Sequence, residues 1–376
     1  MNDQSKPSAV NNSLNCNGCG ALLHFAPGTH NLQCDYCGAS NPIEQKNTDG
    51  LIYSFDYDQF LGEIAVAKPS DTFKQVSCKN CGSQTALDSF VTSDKCPFCT
   101  APLVLLPEGG QQYVEPHYIL PFAITQQQGT EAFKKWIKSL WWSPNDLAKK
   151  LVSDATGLKG VYLPHWAYDS DTVTDYTGER GDYYYTTETY TETVDGKTQT
   201  RTREVRHTRW SYTSGTVDVD FRDVIVPAST SLPEKTLNQL TPWQFDMLVD
   251  FDERYMSGFR SETYRLNPEQ GFQKATVQME PDIRSAIRDD IGGDEQRIDS
   301  TDTDYLNKGI KYLMLPVWVS AYRYNNKVYQ FTVNASTGEV IGQRPLSAIK
   351  ITLAVLFVIA LIIAIVIMVQ NGQAQR

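Results

Sequence analysis

Apolar and polar positions follow three different rhythms along this chain. In the last of them, Ile351 to Val369 are nineteen consecutive uncharged residues, nearly all apolar. At about 1.5 Å per residue a helix of that length reaches roughly 28 Å, the depth of a bilayer's hydrocarbon core. A buried core helix is the alternative, but a helix without any polar face is not expected at a chain terminus. The expectation is one transmembrane helix over 351–369 with only seven residues after it, hence a single-pass protein anchored by its tail. Arg344 and Lys350 precede the segment, and Arg376 alone follows it. That bias places the N-terminal body on the cytoplasmic side of the cell membrane.

The middle rhythm has a period of two. Residues 162 to 226 alternate and are rich in Tyr and Thr, as half-buried strands are. Asp195-Gly196 marks a type I′ hairpin turn. Partners across it sum to 391, so Glu188 faces Arg203, Asp182 faces Arg209 and Tyr190 faces Arg201. Gly178 to Gly181 reads as a further turn. Four apolar segments carry a proline: Ile119-Leu120-Pro121-Phe122, Tyr162-Leu163-Pro164-His165-Trp166, Val224-Ile225-Val226-Pro227 and Leu313-Met314-Leu315-Pro316-Val317-Trp318. The second and fourth share Leu-Pro-x-Trp and then a tyrosine, Tyr168 or Tyr322, which reads as a duplicated β element. Proline removes a ladder donor and so puts such strands at edges, starts or bulges. Lys327 to Phe331 and Val333 to Val340 read as strand, turn, strand, with the turn at Thr337-Gly338. That hairpin ends within about ten residues of the membrane helix, so the body sits close to the bilayer.

A third rhythm, with helical spacing, interrupts the strands. Apolar residues at 133, 136, 137 and 140 predict a helix over Thr130 to Trp142. Ser143 and Pro144 predict the cap and first turn of another, running to Val152. Pro242 to Phe251 and Pro281 to Asp290 read as helices too, and Asp56 suits the cap of a short one starting at Tyr57. Strands with interspersed helices over 103–345 predict a β-rich α+β domain, long enough for its own core.

Cysteine spacing changes the picture at the other end, after a polar tail (1–13) expected to be disordered. Cys16-x2-Cys19-x14-Cys34-x2-Cys37 recurs 62 residues later as Cys78-x2-Cys81-x14-Cys96-x2-Cys99, and the chain has no other cysteine. Two knuckles of paired thiols complete a tetrahedral four-thiolate site, so two zinc ribbons are expected over 14–40 and 76–102, joined by a linker at 41–75. Gly20 and Gly82 follow the second cysteine of each copy, where a knuckle needs positive φ. Disulfides are the alternative. The chain length, the clustering of the thiols and the lack of a signal peptide speak against them. Iron shares the same four-thiolate spacing. A closed thiolate site leaves no position for substrate, so the two Zn2+ ions are structural, each contributing on the order of 10 kcal/mol to folding. His24 and His30 are ordinary hairpin residues once four thiols are in place.

Charge narrows the function. Lys and Arg number 34 against 44 Asp and Glu, a formal net charge of −10. Residues 14 to 40 carry no Lys or Arg, and Lys79 and Lys95 are balanced by Asp88 and Asp94. Such ribbons suit docking of proteins better than phosphate. The basic stripe Lys197, Arg201, Arg203, Arg206 and Arg209 is either an anion surface or one half of cross-strand pairing with acids, and the register above favours pairing. Gly196-Lys197-Thr198 lacks the earlier glycine of a phosphate loop, because Thr191 stands there. Gly292-Gly293-Asp294-Glu295 resembles a nucleotide-cyclase signature and, with Asp289 and Asp290, suggests a cation site; the alternative, a helix end with solvated acids, is preferred. His117, His165 and His207 are scattered, with no nucleophile arranged beside them.

The Cys-x2-Cys-Gly knuckles, Cys96-Pro97-Phe98-Cys99, and the segments Val161 to Tyr185, Tyr255 to Tyr264 and Ile291 to Ile298 resemble a group of bacterial zinc-ribbon membrane proteins labelled TFIIB-type ribbons or primosomal replication-restart helicases. The likeness covers most of the chain. It implies a membrane setting and partners in phage-shock or flotillin-like stress assemblies. It carries over no catalytic residue, since no catalytic motif is matched. The expected function is a non-enzymatic membrane adaptor whose ribbons and β-rich domain dock proteins. The rival is a nucleic-acid-associated zinc-ribbon factor held at the membrane; an enzyme using the acids at 289–295 is a distant third.

Overall fold

The computed structural model describes residues 16–21, 23–44, 51–66, 74–77, 82–87, 94–95, 98, 102–103, 114–147, 157–194, 197–262, 264–325 and 327–374. Strands β1 (Leu23–Phe25), β2 (Asn31–Cys34) and β3 (Ser40–Pro42) form a small sheet near the N-terminus. Strand β4 (Phe55–Asp56) leads into helix α1 (Tyr57–Val66), capped as expected by Asp56, which accepts from Gln59 N at 2.8 Å. Short strands β5 (Lys74–Ser77), β6 (Gln84–Leu87), β7 (Asp94–Lys95) and β8 (Pro102–Leu103) follow. The body comprises β9 (Tyr118–Ile119), α2 (Gln126–Ser139), β10 (Lys159–Val194), β11 (Lys197–Pro227), α3 (Glu234–Gln239), β12 (Val249–Asp250), β13 (Arg260–Ser261), α4 (Pro268–Ile291), β14 (Glu295–Tyr324), β15 (Lys327–Asn334) and β16 (Val340–Gly342). Last comes α5 (Ala348–Ala374), whose apolar residues between 351 and 368 are almost all exposed. The fold is therefore mixed α+β, with a sheet-rich body.

Three long antiparallel strands dominate. Strand β10 lies between β11 and β14, and its register against β11 is the one read from Asp195-Gly196: Glu188 faces Arg203, Asp182 faces Arg209 and Tyr190 faces Arg201. The two turn residues themselves lie outside the described residues. Strand β14 leaves β10 at the Gly181–Glu295 rung. Beyond that rung β10 and β11 continue as a two-stranded arm roughly 40 Å long, at about 3.4 Å per residue.

Gly178 to Gly181 is not a turn, and β10 runs straight through it. These glycines answer crowding instead. A Cβ on Gly178 would stand 2.3 Å from the Arg297 carbonyl oxygen, and one on Gly181 3.0 Å from the Trp210 ring.

The duplicated β element extends into a duplicated β-α-β-β unit. Strand β9 runs parallel to β14, with Tyr118 opposite Leu313, as β13 runs parallel to β10, with Arg260 opposite Val161. The two Leu-Pro-x-Trp segments pair antiparallel with each other, Leu163 opposite Leu315. Trp318 Nε1 donates to Ile124 O and Trp166 Nε1 to Leu266 O, both at 2.8 Å. Each accepting carbonyl directly precedes a helix cap. Thr125 with Gln128 and Asn267 with Gln270 form capping boxes on α2 and α4. Gly129 and Gly271 then let each helix approach its tryptophan: an added Cβ would lie 3.3 Å from Trp318 Cδ1 or 2.8 Å from Trp166 Cδ1. Ala335 O accepts from Ala123 N and Ile124 N, and Ala228 O from Arg265 N and Leu266 N. The helix of each unit thus closes over the hairpin of the other.

Pro164 and Pro316 sit inside central strands, yet each falls where a neighbouring strand gives out; Pro227 ends β11 and Pro121 follows β9. The β10–β11 ladder ends at the His165–Pro227 rung and the β14–β15 ladder at Val317–Asn334. Pro164 O accepts from Ala228 N and Pro316 O from Ala335 N, so the missing N–H faces the end of a ladder and forfeits no rung.

Two helices differ from expectation. Helix α4 starts thirteen residues before Pro281, at the Asn267-Pro268 cap, because Ala275, Met279, Ile283, Ile287 and Ile291 form one buried stripe against the sheet. Pro281 lies on the exposed face, where the freed Val277 carbonyl can bond water. Residues 242–251 form only a 3-10 turn at Phe245–Met247 before β12, whose Val249 pairs with Ile119. Edge pairing displaces the helix. Helix α2 spans Gln126–Ser139, close to the expected one. Of the next expected helix only 143–147 is described. Ser143 does not cap it, since its hydroxyl is buried with no partner among the described residues.

The buried ammonium of Lys311 is paired. Lys311, whose side chain is 5% exposed, bonds Asp169 at 3.0 Å and Asp223 at 2.6 Å. Opposing the effect of burial, the Asp223 N–H and the Lys311 ammonium hold the Asp169 carboxyl below its usual range. Burial lowers His117 and His165 from 6.5 to about 4. His117 Nδ1 accepts from Tyr312 N at 3.0 Å, a bond that requires the neutral ring. Both histidines fold uncharged, so below pH 6.5 the unfolded chain takes up protons that the folded one refuses until about 4. Stability should fall as pH drops through that window, by about 2 kcal/mol per histidine at pH 5. Urea unfolding of the detergent-held protein will show this, and a His165→Asn variant should have the shallower pH slope; equal slopes would contradict it.

Candidate metal centre

The N-terminal sheet is built around four sulfurs. Cys16 Sγ lies 3.5 Å from Cys37 Sγ, and Cys19 Sγ lies 3.6 Å from Cys34 Sγ. All four fall within 4.8 Å of one another. Tetrahedral sulfurs about 2.3 Å from a zinc ion would be separated by about 3.8 Å, so the cluster fits a four-thiolate metal. Both knuckles have the same backbone. Gly20 N donates to Cys16 O at 2.8 Å and Gly38 N to Cys34 O at 2.9 Å, with φ of 73° and 75° at the glycines. Gly18 N reaches Cys16 Sγ at 3.4 Å. That N–H and the one of Cys19 draw the Cys16 thiol down to about 7, and the N–H groups of Cys37 and Tyr36 lower Cys34 similarly. The turns thus favour thiolate, the form that ligates, at Cys16 and Cys34. Against the N–H groups of Ala21 and Ala39, hydrogen bonding to neighbouring sulfurs pushes Cys19 and Cys37 up.

The ribbon is fastened to the body. Phe25 N donates to Ser257 O at 3.0 Å, Ser257 Oγ to Leu23 O at 2.5 Å and Gly28 N to Phe122 O at 2.7 Å. Phe25 meets Tyr255 edge-on at 5.1 Å. His30 Nδ1 contacts Tyr255 OH at 3.1 Å and so helps to fasten the hairpin to the body, and His24 lies 3.7 Å from Asp35 within the hairpin.

Cys78, Cys81, Cys96 and Cys99 lie outside the described residues. Around them part of the first copy's framework recurs at the 62-residue offset. Asp94 pairs with Leu103 and Lys95 with Pro102, as Leu32 pairs with Asn41 and Gln33 with Ser40. Gly82 has φ 74°, matching Gly20. Phe98, between the last two cysteines, is buried, and its carbonyl accepts from Gln330 Nε2 at 2.7 Å. Through β6, whose Ala86 faces Ser261, this copy also joins the main sheet.

The other candidates disperse. Asp290 accepts from Tyr176 OH at 2.5 Å, Asp294 from Tyr183 N at 2.7 Å and Glu295 from Tyr183 OH at 2.8 Å. Gly292, with φ 63°, ends α4 there. The acids cap strands and helix and do not converge. On the arm, Arg203 pairs with Glu188 at 3.0 Å and Arg201 with Glu192 at 3.2 Å. Arg206 covers the Tyr183 ring at 4.2 Å and Arg209 the Tyr184 ring at 5.5 Å. Asp182, which faces Arg209 in the register, turns to Arg180 at 3.0 Å. His165 is fully buried, its Nδ1 3.0 Å from Leu163 O and its Nε2 unpartnered among the described residues. It borders a cleft with Trp243, Asn238 and Asp282, a feature that no motif announces.

A Cys34→Ser chain should lose metal by one ion relative to the unaltered protein in elemental analysis, and its residues 16–44 should become sensitive to protease. Unchanged metal content would contradict the assignment of these four ligands.

No family model matches this chain, and no solved structure matches it. It is similar to the uncharacterized protein YdjG of Bacillus subtilis (strain 168), 24% identical over 349 residues that cover 90% of this chain and 92% of that protein.

Proposed function

We propose that this protein is a non-enzymatic adaptor held at the cell membrane by α5, with its body and ribbons in the cytoplasm. Two structural zinc ions, one on Cys16, Cys19, Cys34 and Cys37 and the other on Cys78, Cys81, Cys96 and Cys99, brace the edge of the sheet. Partner proteins dock on the body and its arm, and the stress assemblies implied by the family resemblance are the first to test.

The arm is the observation that carries this reading. It projects beyond β14 with Tyr184, Tyr185 and Tyr190 exposed, and exposed tyrosines suit protein contact. Its arginines are already engaged with Glu188, Glu192 and tyrosine rings, which leaves little of the stripe for phosphate. Helix α5 supports the membrane setting: it is long and apolar enough to cross, and no part of its most apolar window is buried. A photoreactive residue placed at Tyr185 and activated in intact membranes should capture a defined protein. Recovery of nucleic acid, or of nothing above the level of a surface control, would overturn the adaptor reading.

A further inference from the structure

The turn after α2 is bolted to the first turn of α5. Ser347 N donates to Trp142 O at 2.8 Å. Lys350 Nζ donates to Trp141 O at 2.8 Å and Ser143 O at 2.9 Å, and sits 5.5 Å above the Trp141 ring. Both tryptophans nevertheless face outward: Trp141 is 74% exposed and Trp142 39%. Leu346 and Ile349, next in sequence to the Ser347 and Lys350 that hold this turn, are also exposed. On the helix leading to this turn, Lys134, Lys135 and Lys138 are exposed.

The depth of this cluster follows from the helix. Its apolar stretch, Ala348–Met368, holds 21 residues. At about 1.5 Å each they span roughly 31 Å, the whole hydrocarbon core. Residues 347 and 350 then lie at the boundary of the core, and groups hydrogen-bonded to them lie there also. Two outward tryptophans at that level match the amphipathic rings that settle among lipid headgroups, and neighbouring lysines match anionic lipid. Such an apolar surface is seldom left bare in water.

We infer that Trp141 and Trp142, with the lysines of α2, form an interfacial foot that seats the body on anionic headgroups beside the point where α5 enters the bilayer. The inference rests on the membrane anchoring of α5 proposed above. It adds a fixed orientation, because a body tethered through 343–347 alone would tumble, whereas one standing on this foot presents the same face to the lipid.

The test uses the full chain in vesicles of equal parts phosphatidylcholine and phosphatidylglycerol, with acyl chains brominated close to the headgroup. Tryptophan emission should be quenched, and most of that quenching should vanish in the Trp141→Phe, Trp142→Phe double variant. These substitutions on exposed rings leave the fold intact, as circular dichroism will verify. Alkaline carbonate extraction separates the two failures. If the protein resists extraction but the double variant is quenched as strongly as the unaltered chain, the foot is refuted while the anchor stands. If carbonate releases the protein, the anchor is refuted and the foot with it. Concentration-dependent crosslinking through this face, without quenching, would assign it to a second copy and also refute the foot.

Discussion

Two indole N–H groups hold this body together. Trp166 and Trp318 sit on paired central strands and bond the carbonyls just ahead of α4 and α2. Each bond fixes where a helix begins, and each helix belongs to the opposite repeat unit. Neither unit can bury its hairpin without the other, so the body folds as a reciprocal clasp. Buried, satisfied indoles also specify geometry as well as area, because a misplaced N–H would be left without its acceptor.

The clasp explains how the peripheral parts are placed. One ribbon rests on the Tyr255–Ser257 segment just before β13, and the framework of the other reaches β13 itself through Ala86. The four-cysteine cluster at 16–37 thus docks on the body through its own small sheet, whereas β5 and β6 extend the sheet of the body. At the opposite end β15 and β16 lead into α5, and the turn after α2 grips its first residues. The arm gains its reach because β10 and β11 outlast β14.

Local chemistry made much of this readable beforehand. The Asp195-Gly196 turn set the register of the 25 rungs from Val194–Lys197 to Ser170–Phe221, beyond which a bulge shifts it, because a two-residue hairpin leaves no slack. The cysteine spacing indicated the first thiolate cluster, and Asp56 marked the start of α1. What escaped depends on tertiary pairing. Gly178 and Gly181 suggest a turn in the sequence, though their glycine character reflects neighbours at Arg297 and Trp210. Pro281 was read as a helix start, though a solvent-facing proline is tolerated within α4. The duplication was visible only in the Leu-Pro-x-Trp strands. Its other halves are Ile124-Thr125-x-x-Gln128-Gly129 against Leu266-Asn267-x-x-Gln270-Gly271, and Val226-x-Ala228-Ser229-Thr230 against Val333-x-Ala335-Ser336-Thr337. They are short, unequally spaced from the strands, and acquire meaning only once Trp166 and Trp318 are seen to bond across the units. His165 and its cleft left no sequence signal, since a single histidine on a strand has no partner pattern to announce it.

Placement of the body relative to the bilayer is the claim on which the functional account turns. Its most direct test is protease digestion of sealed membrane vesicles in the two orientations. The exposed arm, rich in arginine, should be cut only when the cytoplasmic face is outward. Cleavage of the arm in right-side-out vesicles would place the body on the far side and contradict the account.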